Sequence, residues 1–281
     1  MRCLRIATLN VWNKSGPWPA RLELIRAELA RAQPDVLGLQ EILRLSPSDG
    51  AESHPGPETC QASEIAEGLG YQVVYGPASD WHGGLTLGNA LCSRYPILDH
   101  QNFVLPGAES GETRALLYAR VQTPDGALPV FVTHLNWKLH HGSVRTAQIK
   151  AVVGHVFDLA PKGDTCLPPV LMGDFNAEPE ADEIRYLRGY TGLGGSTVYF
   201  TDAWVYAGDG SQGATFDRRN RFAALAHEPP RRIDYIFVRG PDRKFRGEPR
   251  KTELAFTANA TQGGEDVWPS DHFGLVTELS V

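Results

Sequence analysis

The chain has 281 residues, of which 42% are hydrophobic, so it is long enough to bury a sizeable core. Thirty-three acidic against 27 basic residues give a formal net charge of -6, which excludes a global positive field that would draw the protein onto a nucleic acid or an anionic membrane. A local basic rim is compatible with this balance. The four cysteines, Cys3, Cys60, Cys92 and Cys166, lie far apart without a CxxC pair, which predicts reduced, buried thiols rather than a zinc site or a disulfide framework.

The first part of the chain alternates strand and helix. RCLRIATLNVW alternates like a half-buried strand, and RLELIRAELARAQP then places Ile25 and Leu29 at helical spacing. DVLGLQE is a short apolar run that predicts a strand buried on both faces, with Glu41 at its end. Residues 44–61 are rich in Pro, Gly and Ser, which predicts a long surface loop before a helix around Ile65.

The middle of the chain is rich in strands. They are predicted at YQVVYGP, NALCSRYPI, TRALLYARVQT and LPVFVTHLNW, and Pro124, Asp125 and Gly126 join the last two as a hairpin. A helix through Val152 and Val156 precedes a strand in VLMGDFNAEP, and further strands are predicted in RIDYIFVRG and SDHFGLVTELS.

The chain shows no internal repeat, low-complexity tract or linker. We therefore predict one domain over residues 1–281, built from two packed sheets flanked by helices. No long apolar segment occurs, and MRCLRIATLN enters the first strand directly, without the apolar stretch and cleavage site of a signal peptide. We expect a cytoplasmic protein with no transmembrane segment.

Polar side chains gather at the predicted strand ends. They are Asn10, Glu41, His134 with Asn136, Asp174 with Asn176, Asp234, and Asp271 with His272. Burying such groups is costly unless they are paired, bound to a metal or facing a cleft, so their repetition predicts one shared site. Within VLMGDFNAEP, alternate residues of an extended chain share a face, so Asp174 and Asn176 should point together while Phe175 turns into the core. Taken alone, this stretch could be a simple turn, and His134 could be a structural hydrogen-bonding residue.

Seven segments, taken in order, resemble one known family. They are TLNVWN, LQEI, GNALCSRYPI, THLNW, GDFNAEP, RIDYIF and SDHFGL, and together they resemble the endonuclease/exonuclease/phosphatase superfamily nearly from end to end. The resemblance implies an α/β fold, a four-layered sandwich in which two packed mixed β-sheets are flanked by helices, with the site at one edge. It also implies phosphoester hydrolysis assisted by a divalent metal, usually Mg²⁺, with Mn²⁺ as the second candidate.

The resemblance and simple coordination chemistry assign the metal ligands. Mg²⁺ prefers oxygen ligands in near-octahedral order and keeps several waters, so one or two carboxylates suffice. Glu41 is the leading predicted ligand, with Asn10 beside it and Asp271 nearby. The metal would neutralise a phosphoryl oxygen and the leaving oxygen as charge develops.

The remaining residues receive catalytic and substrate-binding roles. Asp174 is predicted to orient or deprotonate the attacking water, while His272, oriented by Asp234, is either the base or a donor to the phosphate. His134 and Asn176 should donate hydrogen bonds to the non-bridging oxygens. Three further residues complete the predicted substrate-binding set: Asn136, Arg114 and Trp137.

The substrate class is predicted from Trp12 and from the charge balance of the chain. Apurinic endonucleases of the superfamily resemble this chain at Asn10 but carry an aspartate two residues later, where this sequence has Trp12, a residue typical of the sphingomyelinases. With the acidic balance, this favours a small or lipid-like phosphoester acted on by a monomer. The alternative is an endonuclease or DNA-repair nuclease, so nucleic acid is the less favoured partner. Five arginines could hold extra phosphates, or form a solvated loop: Arg218, Arg219, Arg221, Arg231 and Arg232.

A catalytically inactive binding module is a further alternative. Such a module would be expected to have lost part of the polar set, and none of the seven segments is visibly broken. Hydrolysis is therefore the favoured activity.

Overall fold

Two β-sheets organise the chain in the computed structural model, which describes residues 2–46, 59–161, 163 and 166–281. The strands are β1 (Cys3–Asn10), β2 (Val36–Leu45), β3 (Thr59–Cys60), β4 (Gln72–Asp80), β5 (Leu85–Ser93), β6 (Ile97–Val104), β7 (Ala115–Thr123), β8 (Gly126–His134), β9 (Val170–Asp174), β10 (Thr201–Asp202), β11 (Asp234–Val238), β12 (Pro249–Ala255), β13 (Ala260–Gln262), β14 (Glu265–Val267) and β15 (Gly274–Ser280). The helices are α1 (Trp18–Ala32), α2 (Gln61–Ala66), α3 (Gly142–Leu159), α4 (Asp182–Leu187), α5 (Ala203–Ala207) and α6 (Arg221–Ala224), with a 3₁₀ turn at Ala108–Ser110.

Both large sheets are mixed. The seven-stranded sheet has the order β12-β15-β1-β2-β5-β4, with β3 paired to β2, and the six-stranded sheet has the order β10-β11-β9-β8-β7-β6. The pairs β1–β2 and β8–β9 are parallel, while the other pairs in these sheets are antiparallel. A separate ribbon joins β13 and β14. Since β11 runs antiparallel to β9, its beginning lies at the edge where β9 ends.

Three apolar layers hold the sandwich together. Side chains such as Val132 and Met172 fill the space between the two sheets. On the outer face of the seven-stranded sheet, α1 and α2 pack through Ile25 and Ile65. On the outer face of the six-stranded sheet, α3 packs through Val152. Two sheets between two helical layers confirm the predicted four-layered α/β sandwich.

Local sequence signals account for the ends of several elements. Helix α1 begins at Trp18 with a proline in its first turn and ends where Gln33 adopts a left-handed conformation, with φ of 45°. The predicted hairpin is confirmed, because Thr123 of β7 pairs with Gly126 of β8 across a two-residue turn.

Strand β2 differs from its prediction. It continues four residues past Glu41 to Leu45, so Glu41 lies inside the strand and not at its end. The register against β5 shifts between Leu39 and Ile42, and Glu41 has φ of 58°, which together define a β-bulge. The two ends of the predicted loop 44–61 are also ordered as strand or helix, and residues 47–58 lie outside the described residues.

Two further expectations concern cysteines and membranes. Cys92 is buried, but Cys3 is exposed, so the predicted burial of the thiols is wrong for Cys3. In the part of the chain that the structure describes, no helix combines the length and apolar character needed to cross a bilayer.

Candidate active site

The polar site is built where strands of both sheets reach one edge of the sandwich. Asn10, His134 and Asp174 are the last residues of β1, β8 and β9, and Asp234 is the first residue of β11. Asp174 stands in register with His134 on one side and Asp234 on the other. The Nδ2 atom of Asn10 donates to Asp174 Oδ2 across the two sheets, at 2.9 Å. The sheet topology therefore brings four of the predicted residues together.

His272 is held by Asp234, as the sequence predicted. Its Nδ1 atom lies 2.9 Å from Asp234 Oδ2, and both side chains are buried. Its other ring nitrogen, Nε2, faces Asp174 Oδ2 at 3.9 Å. Burial lowers the pKa of His272, but the negative charges of Asp234, Asp271 and Asp174 outweigh burial and raise the pKa well above its ordinary value.

Asp174 lies between two imidazoles. Its Oδ2 atom is 3.4 Å from His134 Nε2, and its Oδ1 atom accepts a hydrogen bond from the backbone nitrogen of Asn176 at 2.8 Å. Burial raises the pKa of this carboxyl to about 7, and the nearby charge of Asp234 adds to the increase, while His272 and Asn10 oppose it. The Nε2 atoms of His134 and His272 therefore both face the Oδ2 atom of Asp174.

Asn176 reaches the site by a different route from the one expected. Strand β9 ends at Asp174, and Asn176 adopts a left-handed conformation with φ of 49°, so the expectation of an extended chain through this residue is wrong. Its side-chain nitrogen donates to the carbonyl of Leu135 at 3.1 Å. Phe175 does turn into the core, where it packs edge-on against Tyr235.

Glu41 and Asp271 form the oxygen-rich part of the site. The bulge in β2 presents the Glu41 carboxylate, which accepts hydrogen bonds from Asn10 Nδ2 at 3.3 Å and from Asn13 Nδ2 at 3.1 Å. Burial raises the pKa of Asp271 to about 6, and the negative charge of Glu41 contributes to this increase, against the lowering effect of His272. Among the described residues, Glu41 forms no ion pair with a lysine or arginine. Two carboxylates that feel each other's charge fit a divalent cation such as Mg²⁺.

The amide of Asn10, a predicted metal ligand, is hydrogen-bonded through both its nitrogen and its oxygen. Its Nδ2 atom points at the carboxylates of Glu41 and Asp174, and its Oδ1 atom accepts from the backbone nitrogen of Trp12 at 2.9 Å. Both ends of the amide are therefore engaged. Asn10 orients the two acids in this arrangement.

A second group of side chains could also hold a cation. Asp174, Asp234 and His272 offer ligand atoms that all lie within 4.8 Å of one another. The hydrogen bond between His272 and Asp234 occupies Nδ1 of the imidazole and Oδ2 of the carboxylate, so only Nε2 of the ring would be left for a cation there. The donor chemistry of Glu41 and Asp271 is the better match for Mg²⁺, because both ligands are oxygens.

The predicted substrate-binding residues occupy different environments. The Nη1 atom of Arg114 lies 3.0 Å from His134 Nδ1, so these two side chains are in contact. Trp137 is 58% exposed. Asn136 is buried and its amide is bonded to Ser110 and Gln148, which places it in the framework under the site.

Three residues that no sequence pattern singled out support the site. Arg21 of α1 is buried, and its guanidinium donates to the carbonyls of Val11, Asn13, Ser15 and Pro269, which ties the segment after β1 to the segment before His272. Burial lowers the pKa of Arg21 to about 10. Ser270 Oγ donates to the carbonyl of Asn10 at 2.6 Å. Glu112 accepts from Arg114 Nη2 at 3.0 Å.

Only one of these three carried a usable sequence signal. Ser270 belongs to the SDHFGL segment, next to two residues that were predicted. Arg21 lies on a helix with no distinguishing pattern, and Glu112 lies in a loop, so neither could be found from spacing.

The arginines proposed as extra phosphate ligands are mostly engaged with acids. Arg232 binds both carboxylate oxygens of Asp202, at 3.1 and 3.0 Å, and both side chains are buried. Ion pairs also join Arg219 to Asp217, Arg221 to Glu265, and Arg231 to Glu228. Arg218 is exposed.

The two-sheet sandwich, with buried carboxylates and histidines gathered at one edge, defines a class of hydrolases that act on phosphoester bonds. The chain belongs to the Endonuclease/Exonuclease/phosphatase family, whose model matches residues 7–272.

Sequence relatives and solved structures agree with this assignment. The chain is 27% identical over 176 residues to "Uncharacterized protein YbhP" of Escherichia coli (strain K12), an alignment that covers 61% of this chain and 66% of YbhP. It is 28% identical over 192 residues to "Protein angel" of Drosophila melanogaster, covering 64% of this chain and 50% of that protein. The chain thus spans about two thirds of the first relative and half of the second. The crystal structure of D. rerio TDP2 complexed with single strand DNA product covers 100% of both chains with a TM-score of 0.71 and 20% identity, which shows a shared fold.

Proposed function

We propose that the chain is a Mg²⁺-dependent phosphodiesterase-type hydrolase that activates water at one metal site and acts on a small or lipid-like phosphoester. The observation that carries this proposal is the convergence of His134 Nε2 and His272 Nε2 on Asp174 Oδ2, at 3.4 and 3.9 Å. Two ring nitrogens and one carboxylate around a single point suit a tetrahedral phosphoryl group, which carries negative charge on its non-bridging oxygens and is attacked by water.

Each of these side chains has a role in the proposed reaction. Asp174 orients or deprotonates the attacking water. His272, which Asp234 holds through Nδ1, donates from Nε2 to a phosphate oxygen, with the role of base as the alternative. His134 and Asn176 donate to the remaining non-bridging oxygens.

Glu41 and Asp271 would hold the metal. A bound Mg²⁺ supplies neutralisation of the charge that develops on the phosphoryl and leaving oxygens. Asn10 and Asn13 keep the Glu41 carboxylate in place through their amide nitrogens. Mn²⁺ would be accepted by the same oxygens.

The charge distribution supports a small substrate over a long nucleic acid. A nuclease needs several lysines or arginines to neutralise backbone phosphates, and four of the five candidate arginines are already paired with acids. Residues 1–281 acting as one domain, a monomeric state and a cytoplasmic location belong to the same proposal. The second candidate function is cleavage of a nucleic-acid phosphodiester, which the shared fold with a TDP2 structure that holds a single strand DNA product favours.

A substrate panel tests the proposal. The purified protein is assayed with Mg²⁺ against a chromogenic diester, a phosphomonoester, sphingomyelin, inositol phosphates, and abasic and single-stranded DNA. We expect the highest kcat/KM on a small or lipid-like diester, loss of activity on chelation, and loss in Glu41→Gln, with Glu23→Gln on the exposed face of α1 as the matched control. DNA cleavage with an efficiency far above that on every small diester would overturn the choice of substrate.

A salt titration provides a second measure. Neutralising several DNA phosphates releases counterions, so DNA affinity would fall steeply with salt concentration, whereas a single phosphate contact gives a shallow dependence. We expect the shallow dependence for KM. Full activity after exhaustive chelation would exclude the metal.

A further inference from the structure

A line of four alternating charged or polar groups leads out of the reaction centre. Asp174 Oδ2 is 3.4 Å from His134 Nε2, His134 Nδ1 is 3.0 Å from Arg114 Nη1, and Arg114 Nη2 donates to Glu112 Oε2 at 3.0 Å. His134 is buried, and the side chains of Arg114 and Glu112 are each only 11% exposed. The line therefore runs mostly out of contact with solvent.

The contact between Arg114 and His134 determines which ring nitrogen of His134 carries the proton. A guanidinium has only N–H donors and no acceptor, so His134 Nδ1 must offer its lone pair to Arg114. The ring is then neutral and its one proton is on Nε2, the atom that faces Asp174. Burial lowers the pKa of His134 well below its ordinary value, and the charges of Arg114 and His272 lower it further, in agreement with a neutral ring.

Glu112 fixes Arg114 in the orientation that makes this contact. Its Oε2 atom accepts from Arg114 Nη2 and from the backbone nitrogen of Trp137 at 3.2 Å, while Oε1 faces His141 Nδ1 at 3.5 Å and Lys138 Nζ at 3.9 Å. With one terminal nitrogen on Glu112 and the other on His134, the Arg114 guanidinium is held against the histidine.

We propose that Arg114, anchored by Glu112, is a positioning residue that sets the tautomer of His134, so that Nε2–H is aimed at the phosphate as a neutral donor. This inference changes the role that the sequence alone assigned to Arg114, which was direct substrate binding. It rests on the proposed function only in naming a phosphate as the acceptor of this hydrogen bond, because the tautomer itself is a property of the protein.

Nitrogen NMR of the histidine side chains tests the tautomer without any substrate. Two-bond couplings from the ring protons distinguish a protonated Nε2 from a protonated Nδ1. We expect native His134 to show the Nε2–H tautomer at neutral pH, Arg114→Met to move it toward a mixture with Nδ1–H, and Arg114→Lys to retain Nε2–H because an ammonium also donates. A native His134 that carries its proton on Nδ1 overturns the proposal, whether or not the Arg114 variants fold.

Kinetics on the smallest diester separate positioning from substrate binding. We expect Arg114→Met to lower kcat by about 10-fold to about 10⁴-fold. The lower figure is a typical loss when a group that orients an imidazole is removed. The upper figure is the loss for a serine protease with the wrong histidine tautomer. KM should change little, and Arg114→Lys should recover part of kcat. The matched control is Arg120→Met in β7, the strand that Arg114 directly precedes. This change breaks the exposed pair with Asp99 and should leave kcat, KM and the His134 signals unchanged.

The two readouts also separate this proposal from the proposed function. If Arg114→Met or Arg114→Lys raises KM while kcat and the tautomer stay native, Arg114 binds substrate directly and the inference fails. If no phosphoester is turned over by the native protein, the proposed function fails, while the NMR result still decides the tautomer.

Discussion

At position 41, Glu41→Gly should be more stable than Glu41→Ala, the reverse of their order in an ordinary strand. Both substitutions remove the carboxylate and its bonds to Asn10 and Asn13, so their difference isolates the backbone. Glu41 sits in a bulge with φ of 58°, which places any residue with a Cβ in the left-handed region. A left-handed conformation costs an L-residue roughly 1–2 kcal/mol, whereas glycine adopts it freely.

The expected size of the difference follows from two opposing terms. Glycine in a strand is normally less favourable than alanine by roughly 0.5–1 kcal/mol, because it loses more backbone entropy on folding. Subtracting this from the strain that glycine relieves leaves Glu41→Gly more stable by roughly 0–1.5 kcal/mol, with a central value of about 0.8 kcal/mol. In a protein of this length, such a change moves Tm by about 2 °C.

Urea unfolding of both variants in the presence of a chelator measures the difference without a contribution from bound metal. The control pair is Gln101→Gly and Gln101→Ala, at an exposed position of β6 outside the positive-φ residues, where alanine should be the more stable. Neither position-41 variant should hydrolyse substrate at the native rate. If Glu41→Ala is as stable as Glu41→Gly or more so, the bulge is not strained in solution and the reasoning fails.

Three further predictions concern the catalytic pair, the core and acid stability. Asp234→Asn, His272→Ala and the double variant should lower kcat/KM by similar factors, since the two side chains act as one unit, and simple addition of the two losses would contradict the pairing. Phe175→Ala should lower the unfolding free energy measured in urea by about 3–5 kcal/mol, because the ring is fully buried, and a much smaller loss would show that the core closes around it. Burial raises the pKa of Asp242, but hydrogen bonds from Arg246 outweigh burial, so the net pKa is lowered. The pair therefore stabilises the fold at pH values above the ordinary carboxyl pKa of about 3.9. This stabilisation is lost as the pH falls through the folded-state pKa of Asp242. The stability difference between native protein and Arg246→Met should therefore shrink on acidification, and a difference independent of pH would exclude this pair as its source.

The sequence by itself determined the class of fold and the residue types of the site. Hydrophobic periodicity separates strands from helices wherever a face is buried, which is why α1, β1, β8 and β9 are found where the patterns predict them. Polar residues at the ends of buried strands can also be recognised in the sequence. Burying a polar group costs free energy unless it is hydrogen-bonded, bound to a metal or facing a cleft. Asn10, His134 and Asp174 were singled out by this signal, and the resemblance to the family gave them their predicted roles.

Only the tertiary structure decided how these residues meet. The bulge at Glu41 depends on pairing with β5, and the bond from Asn10 to Asp174 depends on how two sheets stack. Arg114 acts on His134, 20 residues away in the chain, through an orientation that Glu112 sets from a loop. Local periodicity contains no information about such contacts, because they depend on distances between segments that approach each other only after the sheets have packed.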